Sequence, residues 1–206
     1  MRIGVFGGTF DPVHQGHLIL AEQCREQARL DQVWFVPAAR PPHKMGQTQT
    51  PFARRVDMLS LAIAGQAAFR IEEIENEREG PSFMADTLEI LHSRHPDHSL
   101  HLVIGSDCLP DLARWYDPQR IVKLAGLVVA GRPNWPFWSA EQIGRSIGLP
   151  SEFPVQIQDV EMPQFELASR DLRQRIAEGR SIRFLVPRAV ECYIETHGLY
   201  RSGSEP

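Results

Sequence analysis

The chain of 206 residues is poor in several things whose absence narrows its function. It holds three cysteines, Cys24, Cys108 and Cys192, an odd number, far apart and without a Cys-x-x-Cys spacing. That argues against a disulfide framework and for free, mostly buried thiols in a reducing compartment. Nowhere do about 18 apolar residues run together as a membrane span requires. The opening Met1-Arg2-Ile3-Gly4-Val5-Phe6-Gly7-Gly8 is too short for a signal-peptide core. A cytoplasmic address is therefore expected, with no membrane partner. Lys and Arg form no sustained run, and 22 cations against 26 anions give a formal charge of −4, so nucleic acid is not an expected partner either. No repeat of roughly 20–50 residues and no low-complexity tract is present.

What is there belongs to an ordinary water-soluble fold. Hydrophobic residues make up 42% and charged residues 23% of the chain, and a chain this long buries roughly 70% of its unfolded surface, enough for a core without staples. Short apolar runs alternate with longer segments of helical period, the signature of successive βα units. Strands are predicted over Arg2–Phe6, Gln32–Val36, Phe69–Glu73, His101–Ile104, Leu127–Ala130 and Val155–Gln158. Helices are predicted over 15–30, 52–64, 82–95, 118–124 and 140–147. Beyond Val160 the alternation stops, leaving two terminal helices, Ser169–Glu178 and Pro187–Thr196, the second closed by Gly198 in a C-cap position. The fold class expected is α/β: a single Rossmann-like, doubly wound, mostly parallel sheet with helices on both faces and a helical C-terminal segment. Residues 1–201 form one domain in this reading, and 202–206 a frayed, disordered tail.

Strand one runs into Gly7-Gly8-Thr9-Phe10-Asp11-Pro12-Val13-His14-Gln15-Gly16-His17-Leu18. An open parallel sheet presents its ligand crevice at the carboxyl ends of its strands, where this string lies. Two adjacent glycines allow a tight turn with amides close to a ligand, and the following helix directs its positive dipole end to the same place. That is a phosphate cradle. It is neither the Gly-x-Gly-x-x-Gly dinucleotide fingerprint nor a Walker loop, which would place Lys and then Ser or Thr after its last glycine. His14 and His17, three apart at a helix start, can lie on one side of it, with Gly16 leaving room for a phosphate between them and the loop. Zinc would need further ligands that the loop does not supply.

Gly7 to Leu18 resembles the opening signature of the nucleotidyltransferase superfamily whose hallmark is a His-x-Gly-His pair. Further strings follow in the order seen in the bacterial nicotinate-nucleotide adenylyltransferases: Pro41-Pro42-His43-Lys44, Gly80-Pro81-Ser82, Ile104-Gly105-Ser106-Asp107, Trp115-Tyr116, Gly131-Arg132-Pro133 and Gly198-Leu199-Tyr200-Arg201. The resemblance runs from residue 1 to about residue 201. It implies adenylyl transfer: the phosphate of nicotinate mononucleotide attacks the α-phosphorus of ATP, pyrophosphate leaves and nicotinate adenine dinucleotide forms. A phosphate with a second pKa near 6 is largely dianionic at neutral pH, so no protein base is required, and positioning with charge neutralisation suffices.

Site residues carried by the resemblance are as follows. His17 meets the α-phosphate, His14 supports the phosphate site, Lys44 reaches the phosphates from the opposite side, and Arg173 neutralises charge. Gly7, Gly8, Thr9, Phe10, Gly16, Gly105, Asp107, Arg132 and Ser169 bind ATP. Ser82, Phe83, Met84, Trp115 and Tyr116 bind the acceptor, with Trp115 stacked on the pyridine ring and the amides after Ser82 receiving its carboxylate. Mg2+ comes with ATP, held mainly by phosphate oxygens. The residues alone also allow Asp107 to be a cap formed with Ser106, Trp115 a core anchor, and Lys44 and Arg132 plain surface charges.

Two departures stand out. The family has Tyr-Thr after Pro-Ser, where this chain has Phe83-Met84, losing two hydroxyls but no amide. The late phosphate-binding string, usually Ile-Ser-Ser-Thr or Ile-Ser-Ala-Thr two residues ahead of Arg, reads Leu167-Ala168-Ser169-Arg170-Asp171-Leu172-Arg173. Arg173 is kept and Arg170 replaces the threonine, free either to pair with a triphosphate oxygen or to turn to solvent. His92, His95, His98 and His101 recur every three residues, but Pro96 breaks any helix that would align them, so they are read as an incidental surface set. Other readings are transfer to the amide mononucleotide or to phosphopantetheine, or a nucleotide-binding module without catalysis. A homo-oligomer is compatible with the sequence.

Overall fold

The structure is a computed structural model describing residues 1–41, 49–150, 152–163 and 166–201. Lys44 and the tail at 202–206 lie outside the described residues. Six strands, β1 (Arg2–Gly8), β2 (Gln32–Pro37), β3 (Phe69–Ile71), β4 (Ser99–Gly105), β5 (Gly126–Ala130) and β6 (Ile157–Val160), form one sheet in the order β3-β2-β1-β4-β5-β6. All of its pairings are parallel. Seven α-helices connect or follow them: α1 (Gln15–Gln27), α2 (Phe52–Ile63), α3 (Met84–Arg94), α4 (Pro118–Leu124), α5 (Ala140–Ser146), α6 (Ser169–Ala177) and α7 (Arg188–Thr196).

Strand residues point alternately to opposite faces, and here both faces are covered, so the strands read as unbroken apolar runs. Val5, Trp34, Val36, Leu102, Ile104 and Val129 pack with Leu88 and Leu91 of α3, Ile121 of α4 and Ile143 of α5. Phe6, Val33, Phe35, Val103 and Val128 pack on the other side with Leu20 and Cys24 of α1, Met58 and Leu59 of α2, Leu172 of α6 and Val190 and Ile194 of α7. Each such Leu, Ile or Phe contributes about 1.5–3 kcal/mol by leaving water. The doubly wound arrangement read from the sequence is the arrangement found.

Local signals explain most boundaries. Asp117 caps α4 by accepting the Arg120 N–H, with Pro118 at the first helical position. Ser139 and Gln142 form a reciprocal capping box at the start of α5. Gly198 closes α7 at φ 61, the conformation a glycine adopts most cheaply.

The differences have physical reasons. Residues Ser106–Arg114 form a 3-10 helix containing Pro110, whose tight period escapes a search for a repeat of 3.6. β6 begins at Ile157, two residues later than predicted, because Val155 serves the core from outside the ladder. His101 is not on the surface. It lies buried in β4 with its Nε2 3.1 Å from the Ser99 hydroxyl, while His95 and His98 stack on each other beside the buried Trp34 ring.

The chain proceeds from β1 outward to β3, then returns to β4 on the other side of β1. The switch point, where neighbouring loops diverge and leave a crevice, is therefore between the carboxyl ends of β1 and β4.

Candidate active site

β1 extends through Gly7 and Gly8, which pair with Val36 and Pro37 of β2, so the glycine pair is strand and not the turn expected of it. Neither has a positive φ; what a side chain there would meet is crowding from other side chains. A Cβ on Gly7 would collide with Met84 Cε, and one on Gly8 would come within 2.8 Å of the Phe10 ring. The turn itself falls at Phe10, held at φ 50, a left-handed conformation that costs a non-glycine residue about 1–3 kcal/mol. Phe10 is fixed by burial between Phe6 and Phe35, and its ring edge meets His17 with centroids 5.0 Å apart.

His14 caps α1 and His17 occupies the third helical position, which stacks the rings at 3.7 Å and 20°. The His14 N–H donates to His17 Nδ1 at 3.2 Å. That bond fixes a tautomer: neutral His17 carries its proton on Nε2, a donor pointing away from the helix cap. His14 is only 4% exposed, and its Nδ1 is buried without a hydrogen-bond partner. Burial first, then the Arg132 charge, lowers the His14 pKa to about 4. Burial, His14 and Arg132 together hold His17 well below its usual value. Both rings are neutral at pH 7, as two stacked imidazoles must be. Gly16, which separates the two histidines in the chain, is buried. The first helical amide, Gln15 N–H, is already taken by the Leu185 carbonyl at 2.9 Å.

These depressed values make stability depend on pH with a definite sign. The unfolded chain binds protons near pH 6.5 that folded His14 refuses until about pH 4. Stability is therefore full above pH 6.5 and is lost as pH falls towards 4, by about 3 kcal/mol for a shift of this size. Denaturant unfolding at pH 7 and pH 4.5 is expected to show a clearly larger loss in the parent protein than in His14→Asn; equal losses would refute the assignment.

On the β4 and β5 side, Gly105 ends β4 where a Cβ would overlap Asp107 Oδ1 and press on Arg132 Nε at 3.2 Å. Arg132 Nε stands 3.8 Å from Asp107 Oδ1. Ser106 is not free to cap with Asp107: its hydroxyl donates to the Trp135 carbonyl and accepts from the Arg132 N–H. Asp107 thus faces Arg132, and Arg132 faces the histidine pair.

α6 supplies the third wall. Ser169 Oγ donates to the Pro12 carbonyl at 2.9 Å, and Arg173 Nη1 to the Asp11 carbonyl at 2.7 Å. Arg170 turns to solvent: its side chain is 83% exposed and meets only the neighbouring Asp171 carboxylate.

Beyond β3, α3 starts at Met84 with Phe83 as its cap, two residues later than predicted. Ser82 lies outside the helix and exchanges backbone and hydroxyl hydrogen bonds with Arg40. Met84 reaches Gly7, linking this wall to β1. Trp115 caps the 3-10 helix and packs half-buried on the core. Tyr116, 52% exposed, stacks on Phe83 with centroids 4.4 Å apart. Among the described residues no group of three or more His, Cys, Asp or Glu side chains is placed to hold a metal ion. No helix among them is long and apolar enough to cross a membrane.

Three further residues support the loop: its own Asp11, and behind it Arg55 and Tyr200. An arginine within an amphipathic helix reads as a surface charge, and Arg55 shows no sequence signal of its burial; Tyr200 is signalled only by its place in the closing string.

A parallel sheet with a paired-imidazole helix start at its switch point, with Arg132 and Arg173 brought to the same strand ends, is the arrangement of an enzyme that transfers nucleotidyl groups. Comparison with known proteins agrees. A family model described as Cytidylyltransferase-like matches residues 5–175. A relative from Thermomicrobium roseum named "Probable nicotinate-nucleotide adenylyltransferase" is 43% identical, covering 98% of this chain and 92% of that protein. One of the same name from Geobacillus thermodenitrificans is 41% identical, covering 97% and 86%. The solved Plasmodium falciparum nicotinic acid mononucleotide adenylyltransferase complexed with NaAD shares the fold, with a TM-score of 0.79 over 97% of each chain at 18% identity. The chain belongs to the cytidylyltransferase-like family, among its nicotinate-nucleotide adenylyltransferases.

Proposed function

We infer that this enzyme transfers the adenylyl group of ATP to nicotinate mononucleotide, releasing pyrophosphate and forming nicotinate adenine dinucleotide. The observation that carries the reading is the His17 ring: neutral, its Nδ1 capped by the His14 N–H, its Nε2 proton presented at the start of α1 beside the strand ends. A neutral donor there can share a proton with an α-phosphate oxygen as charge grows on it, without an imidazolium to desolvate. The acceptor phosphate brings its own nucleophilic oxygen, so the protein has to align, neutralise and exclude water.

In our assignment His17 meets the α-phosphate and His14 lines the same wall. Lys44 and Arg173 add positive charge, with Ser169 and the backbone of Gly7, Gly8, Thr9, Phe10 and Gly16 completing the triphosphate cradle. Gly105, Asp107 and Arg132 flank the adenosine. Ser82, Phe83, Met84, Trp115 and Tyr116 receive the acceptor. Mg2+ enters as part of the substrate, on the phosphates of ATP, and supplies charge neutralisation there. Residues 1–201 act as one catalytic unit, and the cytoplasm is the compartment we assign. Its unpaired thiols suit that address, burial pushing Cys24 up to about 12 and Cys108 to about 11. With Arg170 directed at solvent, nothing in its position blocks turnover, which removes the reason to read an inactive binding module.

Acceptor choice tests the reading directly. Pyrophosphate release is to be measured with nicotinate mononucleotide, its amide counterpart and phosphopantetheine side by side. The N-terminal end of α3, eleven residues long, favours an anion. We expect kcat/KM for the acid to exceed that for the amide at least about tenfold, the scale of one charge interaction worth about 1.4 kcal/mol, and no release with phosphopantetheine. Preference for the amide would overturn the specificity; release with none of the three would overturn the activity.

A further inference from the structure

At the end of β1 and in the loop that follows it, four carbonyl oxygens are claimed from within the protein. Gly8 O accepts the Ala38 N–H at 2.8 Å, Thr9 O accepts Arg55 Nη1 at 2.8 Å, Asp11 O accepts Arg173 Nη1 at 2.7 Å and Pro12 O accepts Ser169 Oγ at 2.9 Å. A carbonyl oxygen facing a triphosphate repels it, so a loop that cradles phosphate has to keep those oxygens turned inward. Nothing local enforces this; the donors come from β2 and its exit, α2 and α6.

Behind the loop stands a second tier that holds these donors in turn. Arg55 is 2% exposed, and besides Thr9 O its Nε donates to Thr50 O at 3.0 Å. The Thr50 N–H donates to Asp11 Oδ2 at 3.3 Å, and the Tyr200 hydroxyl donates to Asp11 Oδ1 at 2.6 Å. Asp11, 5% exposed, therefore ties together the phosphate loop, the chain entering α2 and the segment after α7, bonding to a residue 189 positions away. Tyr200 makes this contact at φ 65, a backbone conformation that a tyrosine seldom adopts and that persists only where its surroundings impose it. Its ring packs against the core cluster of α1, α2 and α7, and the hydroxyl it brings to Asp11 also lies 4.0 Å from the Met58 sulfur.

We propose that Asp11, Arg55 and Tyr200 form a positioning clamp for adenylyl transfer, which helps to hold the carbonyls of Thr9, Asp11 and Pro12 inward, away from the triphosphate. None of the three touches substrate; they act through the loop. The proposal rests on reading residues 7–17 as the triphosphate cradle. It predicts a defect in ATP and not in the acceptor, since the acceptor wall of Phe83, Met84 and Trp115 is built from other segments.

Tyr200→Phe tests it, because the ring and its packing stay while the single hydroxyl is lost. Steady-state kinetics with each substrate varied in turn are expected to show KM for ATP raised at least fivefold, KM for nicotinate mononucleotide within twofold of the parent, and a melting temperature within a few degrees. ATP binding by calorimetry should weaken by the same factor as the KM. An unchanged KM for ATP overturns the clamp, as does a rise shared equally by both substrates, which would mark general loosening. His17→Ala measured alongside separates the two levels: normal turnover in that variant sinks the cradle itself, whereas a crippled His17→Ala with an unaffected Tyr200→Phe sinks the clamp alone.

Discussion

Replacing His17 with alanine is expected to lower kcat at least about 100-fold in a protein that still folds. One positioned donor at a developing charge is worth that much, about 2.7 kcal/mol, when it strengthens in the transition state more than in the bound substrate. His17 meets the conditions for such a donor. Its tautomer is fixed by the His14 N–H at 3.2 Å, its ring is braced by Phe10 on one side and His14 on the other, and it holds no charge that binding must first desolvate. The structural loss is smaller. Alanine removes the acceptor for one N–H at a helix start, about 1 kcal/mol, which lowers the melting temperature of a chain this long by about 2–4 °C. KM for ATP should move far less than kcat, because His14, Arg132 and Arg173 still line the site. Single-turnover measurements distinguish slow chemistry from slow release, and turnover near the parent value would remove His17 from the mechanism.

How the site could be read from the sequence, and how it could not, follows from the range of the interactions involved. The pairing of His14 with His17 depends only on three-residue spacing at a helix start, and it stands as read, with the added detail that one ring's nitrogen accepts the other's backbone N–H. The alternation of apolar runs gave the doubly wound order because every buried strand here is covered on both faces by nearby segments. Gly7 and Gly8 were legible as special but for another reason than the one they serve: side chains from residues 10 and 84 crowd them, and only a folded chain brings Met84 there. Arg170 could not be resolved from its identity, since a long flexible cation pairs wherever an anion stands, and Asp171 stands next to it. The tie between Asp11 and Tyr200 has no local trace at all. Its energy is non-local, and composition, period and spacing describe only neighbours.

Arg55 marks the far end of that scale, and its removal is expected to cost the most stability of any single change considered. In Arg55→Met the stem's volume is kept and the guanidinium is lost, which removes one N–H from the part-buried Thr9 O and one from the buried Thr50 O. A buried acceptor that loses its donor costs about 1–3 kcal/mol. The carboxylate of Asp11 also loses a cation whose attraction opposes the lowering of the Arg55 pKa by burial. Asp11 keeps the Thr50 N–H and the Tyr200 hydroxyl, so the loss of this attraction costs less than breaking a buried ion pair, about 3–5 kcal/mol, and adds to the cost of the two carbonyls. The double replacement Arg55→Met with Asp11→Leu also removes the acceptor of the Thr50 N–H and of the Tyr200 hydroxyl. The single variant should lose about 3–5 kcal/mol in denaturant unfolding, melting about 6–20 °C lower. The double variant should be less stable still and remain slow with ATP. A single variant within about 1 kcal/mol of the parent would mean that water or a rearranged loop replaces the guanidinium, and that the inward carbonyls do not depend on it.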